Sequence, residues 1–367
     1  MGSDLARSRA LGLDDVVAAE TVLSHVDGAG GRLIVRGHDI EELAGTWSFE
    51  RLLGLLWEGL TTGPVSEAEI RAMLGPARVR AHAIAEPLLP RTQGLAPIEA
   101  LRLLLSALAD GEAIPHHVLA VAAVPVFLAA ALRRRRGEAP LPPDASLSHI
   151  ADFLRLLRGA AAPDAHVRAL ETYLVTVADH GLNASTFTAR VIASTRAGMF
   201  SAVVGALCAF KGPLHGGAPG PVLDMLDAIG DEAGIDAWLR DALARGERLM
   251  GFGHRVYRVR DPRADVLKRV AAALRQGDNR IRFAEKVETA ALRLLAARKS
   301  GRALDTNVEF YTALVLDALA LPRDAFTAVF AIGRVAGWTA HILEQERGGR
   351  IVRPQSRYVG DMPKRAA

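Results

Sequence analysis

The sequence predicts an all-α fold with a small β-hairpin near its N-terminus. Three observations carry that expectation. Half of the 367 residues are apolar and only 5% are aromatic. Ala and Leu are abundant while β-branched runs are few, which favours helices around a sizeable core. Two short apolar runs flank a Gly-rich turn in "TVLSHVDGAGGRLIVRG", a hairpin signal, and beyond it apolar residues recur at helical spacing almost everywhere.

The elements follow in order. "MGSDLARSRALGLDD" has no apolar signal core, so nothing in it indicates export. "VLAVAAVPVFLAAAL", residues 118–132, is apolar throughout and is followed by "RRRR". It is shorter than the roughly 20 residues that span a bilayer, and Pro125 interrupts it. We expect a buried core helix and no membrane. "RRRRGEAPLPPDAS", 133–146, reads as a charged, Pro-rich linker. It has no aromatic interleaving, so a solvated turn is expected there rather than a nucleic-acid patch. A helix with the apolar face Val167, Leu170, Leu174 and Val177 ends at His180, with Gly181 as its C-cap. Residues 244–265 form a Gly- and Arg-rich loop, and 348–360 a non-helical tail. Between them, "DTNVEFYTALVLDALALP" reads as a helix capped by Thr306 or Asn307. Its apolar positions are Phe310, Ala313, Leu314, Ala318 and Leu321, and Pro322 ends it. Glu309 sits in its first turn, where the helix dipole favours the ionised carboxylate.

Lys plus Arg number 45 against 41 for Asp plus Glu, and the pI is 9.5. That mild excess suits an anionic small ligand and is too weak to argue for nucleic acid. The single cysteine, Cys208, forms no disulfide within the chain. A reducing, cytoplasmic setting is expected, with Cys208 a small buried hydrophobe.

Three histidines occupy unusual settings: His180 at a helix end, His215 before two glycines in "GPLHGGAPG", and His254 after Gly-Phe-Gly in "GFGHRVYR". Glycine beside a histidine lets a ligand approach the backbone closely. No HxxxH or HExxH pair is present, so no metal is expected. Arg255, Arg258, Arg260 and Arg263 lie near His254. Arg334 lies mid-helix among apolar neighbours in "AIGRVAGW", and Arg353 in "IVRPQS". A mid-helix arginine on an apolar face needs a carboxylate or an anionic ligand. Histidines, arginines and one carboxylate together point to a polycarboxylate substrate and an acid/base step.

In order and spacing, "GPLHGG", "MGFGHRVYRVRDPR", "NVEFYTALVLDALALP", "GRVAGWTAHILEQ" and "RIVRPQSRYVG" resemble the citrate synthase family. So do "ADHGLNASTFTARV" and the opening "GLDDVVAAETVLSHVDGAGGRLIVRGHDIEELAG". The likeness runs from about residue 12 to 360 and is weakest over 70–165. It implies a two-domain helical fold, with a large domain of 1–215 and 321–367 and a small domain of 216–320, the site lying in the cleft between them. It further implies condensation of acetyl-CoA with oxaloacetate and hydrolysis of the citryl thioester. Acetyl-CoA is a substrate, so no cofactor is expected. By position in the motifs, His215, His254 and Glu309 match the catalytic set, with Glu309 as the base. His180, Arg263 and Arg334 match oxaloacetate-binding groups. Arg353 matches an arginine delivered across a homodimer interface. Arg258, Asn307 and the loop Leu249, Met250, Gly251, Phe252, Gly253 match the CoA site.

The chain departs from the family pattern at two positions. Pro219 stands where Asn is usual, and Glu309 where Asp is usual. The added methylene extends the carboxylate by about 1–1.5 Å. Two alternatives stay open: a 2-methylcitrate synthase using propionyl-CoA, and a catalytically silent CoA-binding relative.

Overall fold

The computed structural model describes residue 13 and residues 16–63, 66–216, 219–254, 256–274, 279–297 and 304–363. The predicted hairpin is present and gains a third strand. Strands β1 (Ser24–Asp27), β2 (Arg32–Val35) and β3 (His38–Asp39) form an antiparallel sheet in that order. Ser24 pairs with Val35 and Asp27 with Arg32. Between β2 and β3, Arg36 and Gly37 both have positive φ, 50° and 87°, the requirement of a tight primed turn. Sequence periodicity missed β3 because two residues have no period.

Fifteen α-helices follow among the described residues. They are α1 (Ile40–Leu43), α2 (Phe49–Trp57), α3 (Glu67–Ala85), α4 (Pro97–Leu105) and α5 (His116–Arg135). Next come α6 (His149–Arg158), α7 (Asp164–Val177), α8 (Ala184–Ala193), α9 (Met199–Phe210) and α10 (Pro219–Ile229). The last five are α11 (Ile235–Ala244), α12 (Pro262–Leu274), α13 (Asn279–Ala297), α14 (Val308–Ala318) and α15 (Phe326–Gly348). The class is all-α, as expected.

Helix α5 is buried from Val118 to Leu132, with Pro125 inside it. It packs against α3, α4, α6 and α15. Among the described residues, two segments are long and apolar enough to cross a membrane by composition, His116–Arg135 and Arg323–Gly348, and both are largely enclosed by the protein. The four arginines after 132 do not begin a linker. Three belong to the last turn of α5, and the loop beyond is tied down by Arg155 on the Pro142 carbonyl and Arg78 on the Asp144 carbonyl.

Cys208 is exposed, not buried. Helix α9 is apolar on every side, but Ser201 and Cys208, seven residues apart, lie on its outer stripe. Pro219 opens α10; its side chain, like Gly217 and Ala218, lies outside the described residues, as does Arg255.

Two groups of helices meet at the site. Helices α7, α8, α9 and α15 pack together on one side. On the other, α14 packs on α10 and α12, and α12 also touches α7. Two glycines bring α15 close to the end of α7. A Cβ at Gly333 would lie 2.7 Å from the Leu174 carbonyl oxygen, and one at Gly337 only 2.4 Å from that of Ala178.

Candidate active site

His215 follows α9 and leans on the start of α8. The Ser185 N–H donates to its Nε2 at 3.3 Å, with Ser185 Oγ at 2.8 Å and Asn183 Oδ1 at 3.1 Å. Asn183 caps α8 by accepting from Thr186 N, and the Ser185 hydroxyl donates to the same Oδ1 at 2.8 Å. With that proton committed to Asn183, Nε2 of His215 accepts, and the ring proton belongs on Nδ1. Burial, with Arg334 second, pushes the His215 pKa down to about 4. The ring is a neutral donor at physiological pH.

His254 has the opposite tautomer. Its Nδ1 accepts from the backbone N–H groups of Val256 and Tyr257, both at 3.1 Å. Nε2 also faces a donor, Arg263 Nη2, but at the longer distance of 3.4 Å; the two shorter backbone bonds favour Nδ1 as the acceptor and the proton on Nε2. His180 packs edge-on to His254, with ring centroids 5.6 Å apart, and its Nε2 lies 3.2 Å from the Tyr257 hydroxyl. Burial first, then Arg263, His254, Arg334 and His215, hold the His180 pKa well below the ordinary value. Helix α7 ends at Val177, three residues earlier than expected, and Gly181 turns the chain with φ +59°.

The two candidate anion-binding arginines are held differently. Arg263 is 3% exposed and paired with Asp261 through Nε (3.0 Å) and Nη2 (2.8 Å). Burial is the largest influence and opposes its charge, but Asp261, Tyr257 and Glu309 together outweigh it and raise the pKa. Arg334 is 2% exposed, and among the described residues no carboxylate pairs with it. Its Nε donates to the Val177 carbonyl at 2.8 Å, at the C-terminus of α7, and its guanidinium lies 4.7 Å above the Phe330 ring. Burial lowers its pKa to about 10, so it keeps its charge with donor capacity to spare for an anion.

Glu309 occupies the first turn of α14. Asn307 caps that helix, its Oδ1 accepting from Glu309 N at 3.0 Å. Its Nδ2 donates to the Gly253 carbonyl at 2.7 Å. Asn307 N bonds Gly251 O and Gly253 N bonds Asp305 O, and Phe252 faces Thr306 in an antiparallel bridge. The loop 249–253 is thereby paired with the segment that presents Glu309. Gly251 has φ +85°, and a Cβ there would lie 2.8 Å from Phe310.

The expectation that the helix dipole keeps Glu309 ionised is corrected by the structure. Glu309 is half-buried in densely packed protein. Desolvation outweighs the pull of Arg263 and Arg334, and Asp261 adds repulsion, so the pKa rises to about 7. A carboxyl near neutrality is suited to take a proton at physiological pH.

The remaining candidates lie further out. Arg258 is exposed, and its N–H donates to the Gly28 carbonyl in the hairpin turn at 2.7 Å. Leu249 is buried, while Met250 is exposed at the surface of its loop. Arg353 is exposed in the extended tail, and among the described residues no hydrogen bond or ion pair joins it to the cluster. Three contributors escaped sequence reasoning. Asp261 clamps Arg263 and accepts from Val308 N at the start of α14 at 3.3 Å. Its signal was the Asp-Pro pair that opens α12. Tyr257 and Asp179 gave no signal beyond standing close to His254 and His180.

Three clustered histidines, two of them held neutral by burial, two buried arginines and one carboxyl near neutrality, gathered where helices meet, make the layout of a helical acid–base enzyme for an anionic substrate. The chain belongs to the citrate synthase family, whose model "Citrate synthase, C-terminal domain" matches residues 12–355. It is 42% identical to "Putative citrate synthase 2" of Mycobacterium tuberculosis, over 96% of this chain and 93% of that one. It is 39% identical to the citrate synthase of Haloferax volcanii, over 95% of each, and 34% identical to a 2-methylcitrate synthase of M. tuberculosis, over 95% and 90%. Among solved structures, the citrate synthase of Thermotoga maritima superposes with a TM-score of 0.84 at 34% identity, covering 97% of both chains. That of Thermoplasma acidophilum, in a ternary complex with carboxymethyl coenzyme A and oxaloacetate, gives 0.84 at 26% identity and the same coverage.

Proposed function

We propose that this chain condenses acetyl-CoA with oxaloacetate and hydrolyses the citryl thioester to citrate and CoA. The observation that carries this reading is the convergence of three histidines, two buried arginines and Glu309. Glu309, poised near neutrality, removes the acetyl proton. Nδ1–H of His215 donates to the thioester oxygen as enolate charge develops there. Nε2–H of His254 polarises the oxaloacetate carbonyl, while Arg263, Arg334 and His180 hold its carboxylates. The loop 249–253 and Arg258 take the CoA. Asn307, whose side chain is occupied by Gly253 and Glu309, couples that loop to the base. Water then cleaves the thioester, and no metal is required.

The large domain of 1–215 and 321–367 and the small domain of 216–320 move as two bodies about this cleft. The chain forms a homodimer, and Arg353 reaches the partner's site. Support comes from the exposed apolar residues of its tail, Ile351, Tyr358, Val359 and Met362, which suit a covering surface.

Oxaloacetate-dependent release of CoA from acetyl-CoA tests the reading. Activity lost to EDTA and restored by zinc would overturn the metal-free mechanism, and no release at all would favour the silent relative. The 2-methylcitrate synthase among the relatives supports a second reading, turnover of propionyl-CoA. One methylene discriminates weakly in an apolar pocket, and parallel turnover of the two thioesters settles the preference.

A further inference from the structure

Behind the site runs a chain of polar groups that the proposed chemistry does not use. Asp179 and His341 are fully buried, and Arg190 is 4% exposed. Arg190 Nη1 donates to His341 Nδ1 at 3.0 Å and also pairs with Glu344. Because arginine only donates, Nδ1 of His341 accepts. The His341 proton therefore sits on Nε2, 3.3 Å from Asp179 Oδ2. Ser24 Oγ of β1 donates to the same oxygen at 2.5 Å and accepts from Gly181 N at 3.0 Å. Burying such a chain is costly, and apolar packing would hold two helices together as well.

Its placement points to a purpose. One face of α15 holds three consecutive residues at the end of α7. Arg334 donates to the Val177 carbonyl, Gly337 N to the Ala178 carbonyl at 3.2 Å, and His341 Nε2 to the Asp179 side chain. The next residue is His180. Ser24 bridges Asp179 and Gly181 from the opposite side, so His180 is held between two fixed neighbours. Asp179 also places a negative charge near Arg334, with which no carboxylate pairs among the described residues.

We propose that His341 and Asp179 are a positioning pair for the dicarboxylate end of the site, holding His180 and Arg334 in register for oxaloacetate. This inference rests on the proposed function. Removing the His341 donor leaves the Asp179 carboxylate, whose Oδ1 lacks a partner among the described residues, held by Ser24 alone, so that it can turn about that bond and carry His180 with it.

Direct calorimetric binding of oxaloacetate, alongside the KM values for both substrates, tests the pair. His341→Leu is expected to weaken oxaloacetate binding at least about tenfold, the size of one charge-assisted hydrogen bond. The KM for acetyl-CoA stays within about twofold. His341→Gln keeps a donor near the Nε2 position and recovers most of the loss. Asp179→Asn preserves shape, removes the charge facing Arg334 and weakens binding by a similar factor, so it reads the same pair if His341→Leu does not fold. Oxaloacetate binding unchanged in a folded variant, equal changes in both KM values, or a Gln variant no better than Leu each overturn the proposal. Wild-type protein that binds no oxaloacetate overturns the proposed function itself, whereas wild-type binding with insensitive variants overturns only the positioning role.

Discussion

Glu309 combines a helix N-terminus with a desolvated cleft, and the cleft dominates. Its pKa near 7 makes the free base scarce in acid. With oxaloacetate saturating, kcat/KM for acetyl-CoA should fall as pH drops through about 7, and the bound dianion can only move that limb upward. A flat profile from pH 5.5 to 8 would remove Glu309 as the base. Glu309→Gln should bind both substrates and turn over at least about 100-fold slower. It should also be the more stable protein at alkaline pH. Below the unfolded-state value of about 4.5 the carboxyl is protonated in both states and costs nothing. Between that value and 7 the unfolded chain ionises while the folded one must keep its proton, and above 7 the folded state carries the unfavourable charge, so Gln gains up to ~3 kcal/mol at pH 8 and nothing at pH 4. Melting curves at the two pH values measure the difference. Glu309→Asp tests reach: if the loop has shifted to suit Glu, Asp falls short and slows the reaction. The position of this residue was legible in the sequence. Its charge state was not, because local sequence reports the dipole while burial is set by helices α7, α12 and α15, distant in the chain.

Among elements, the end of α7 against α15 is the most demanding contact. Gly337 has its backbone N–H on Ala178 and no room for a Cβ. Gly337→Ala should destabilise by about 1–3 kcal/mol and weaken oxaloacetate binding through His180. Gly348, at the end of the same helix with nothing within 4 Å of its would-be Cβ, is the control: Gly348→Ala should be neutral or stabilise by up to about 1 kcal/mol. Equal melting temperatures for the two variants would refute the close-approach account. The sequence located α5, as an unbroken apolar run, α7, by its periodic apolar face, and the middle of α15 around Arg334, whereas the long helices α3 and α13 were not singled out. Helical periodicity misjudged α14, which is buried on all sides from Phe310 to Leu316 rather than along one stripe. It also misjudged Cys208, because an evenly apolar helix does not reveal which face is outermost. Asp261, Tyr257 and Asp179 act through tertiary hydrogen bonds, which have no sequence period.

For the whole molecule, two measurements address assembly and motion. Arg353→Ala protomers mixed with His254→Ala protomers should regain activity in heterodimers if the tail crosses, because one site then collects both lesions and the other is intact. Verified heterodimers that stay inactive would show that Arg353 serves its own chain or no site. Scattering with saturating oxaloacetate should show compaction, since a dicarboxylate bridging Arg263 and Arg334 draws the two bodies together; an unchanged profile means a rigid cleft. The pairing of Phe252 with Thr306 and of Asn307 with Gly251 and Gly253 bears on timing. Two segments some fifty residues apart are thus tied together, and on the proposed reading the grip on the nucleotide end of a thioester and the aim of the carboxylate at its methyl would form a single mechanical event. A short acyl thioester without that end would reach the cleft but leave the carboxylate unaimed. It would lose turnover rather than mere affinity, and the enzyme would thereby ignore the many small thioesters around it.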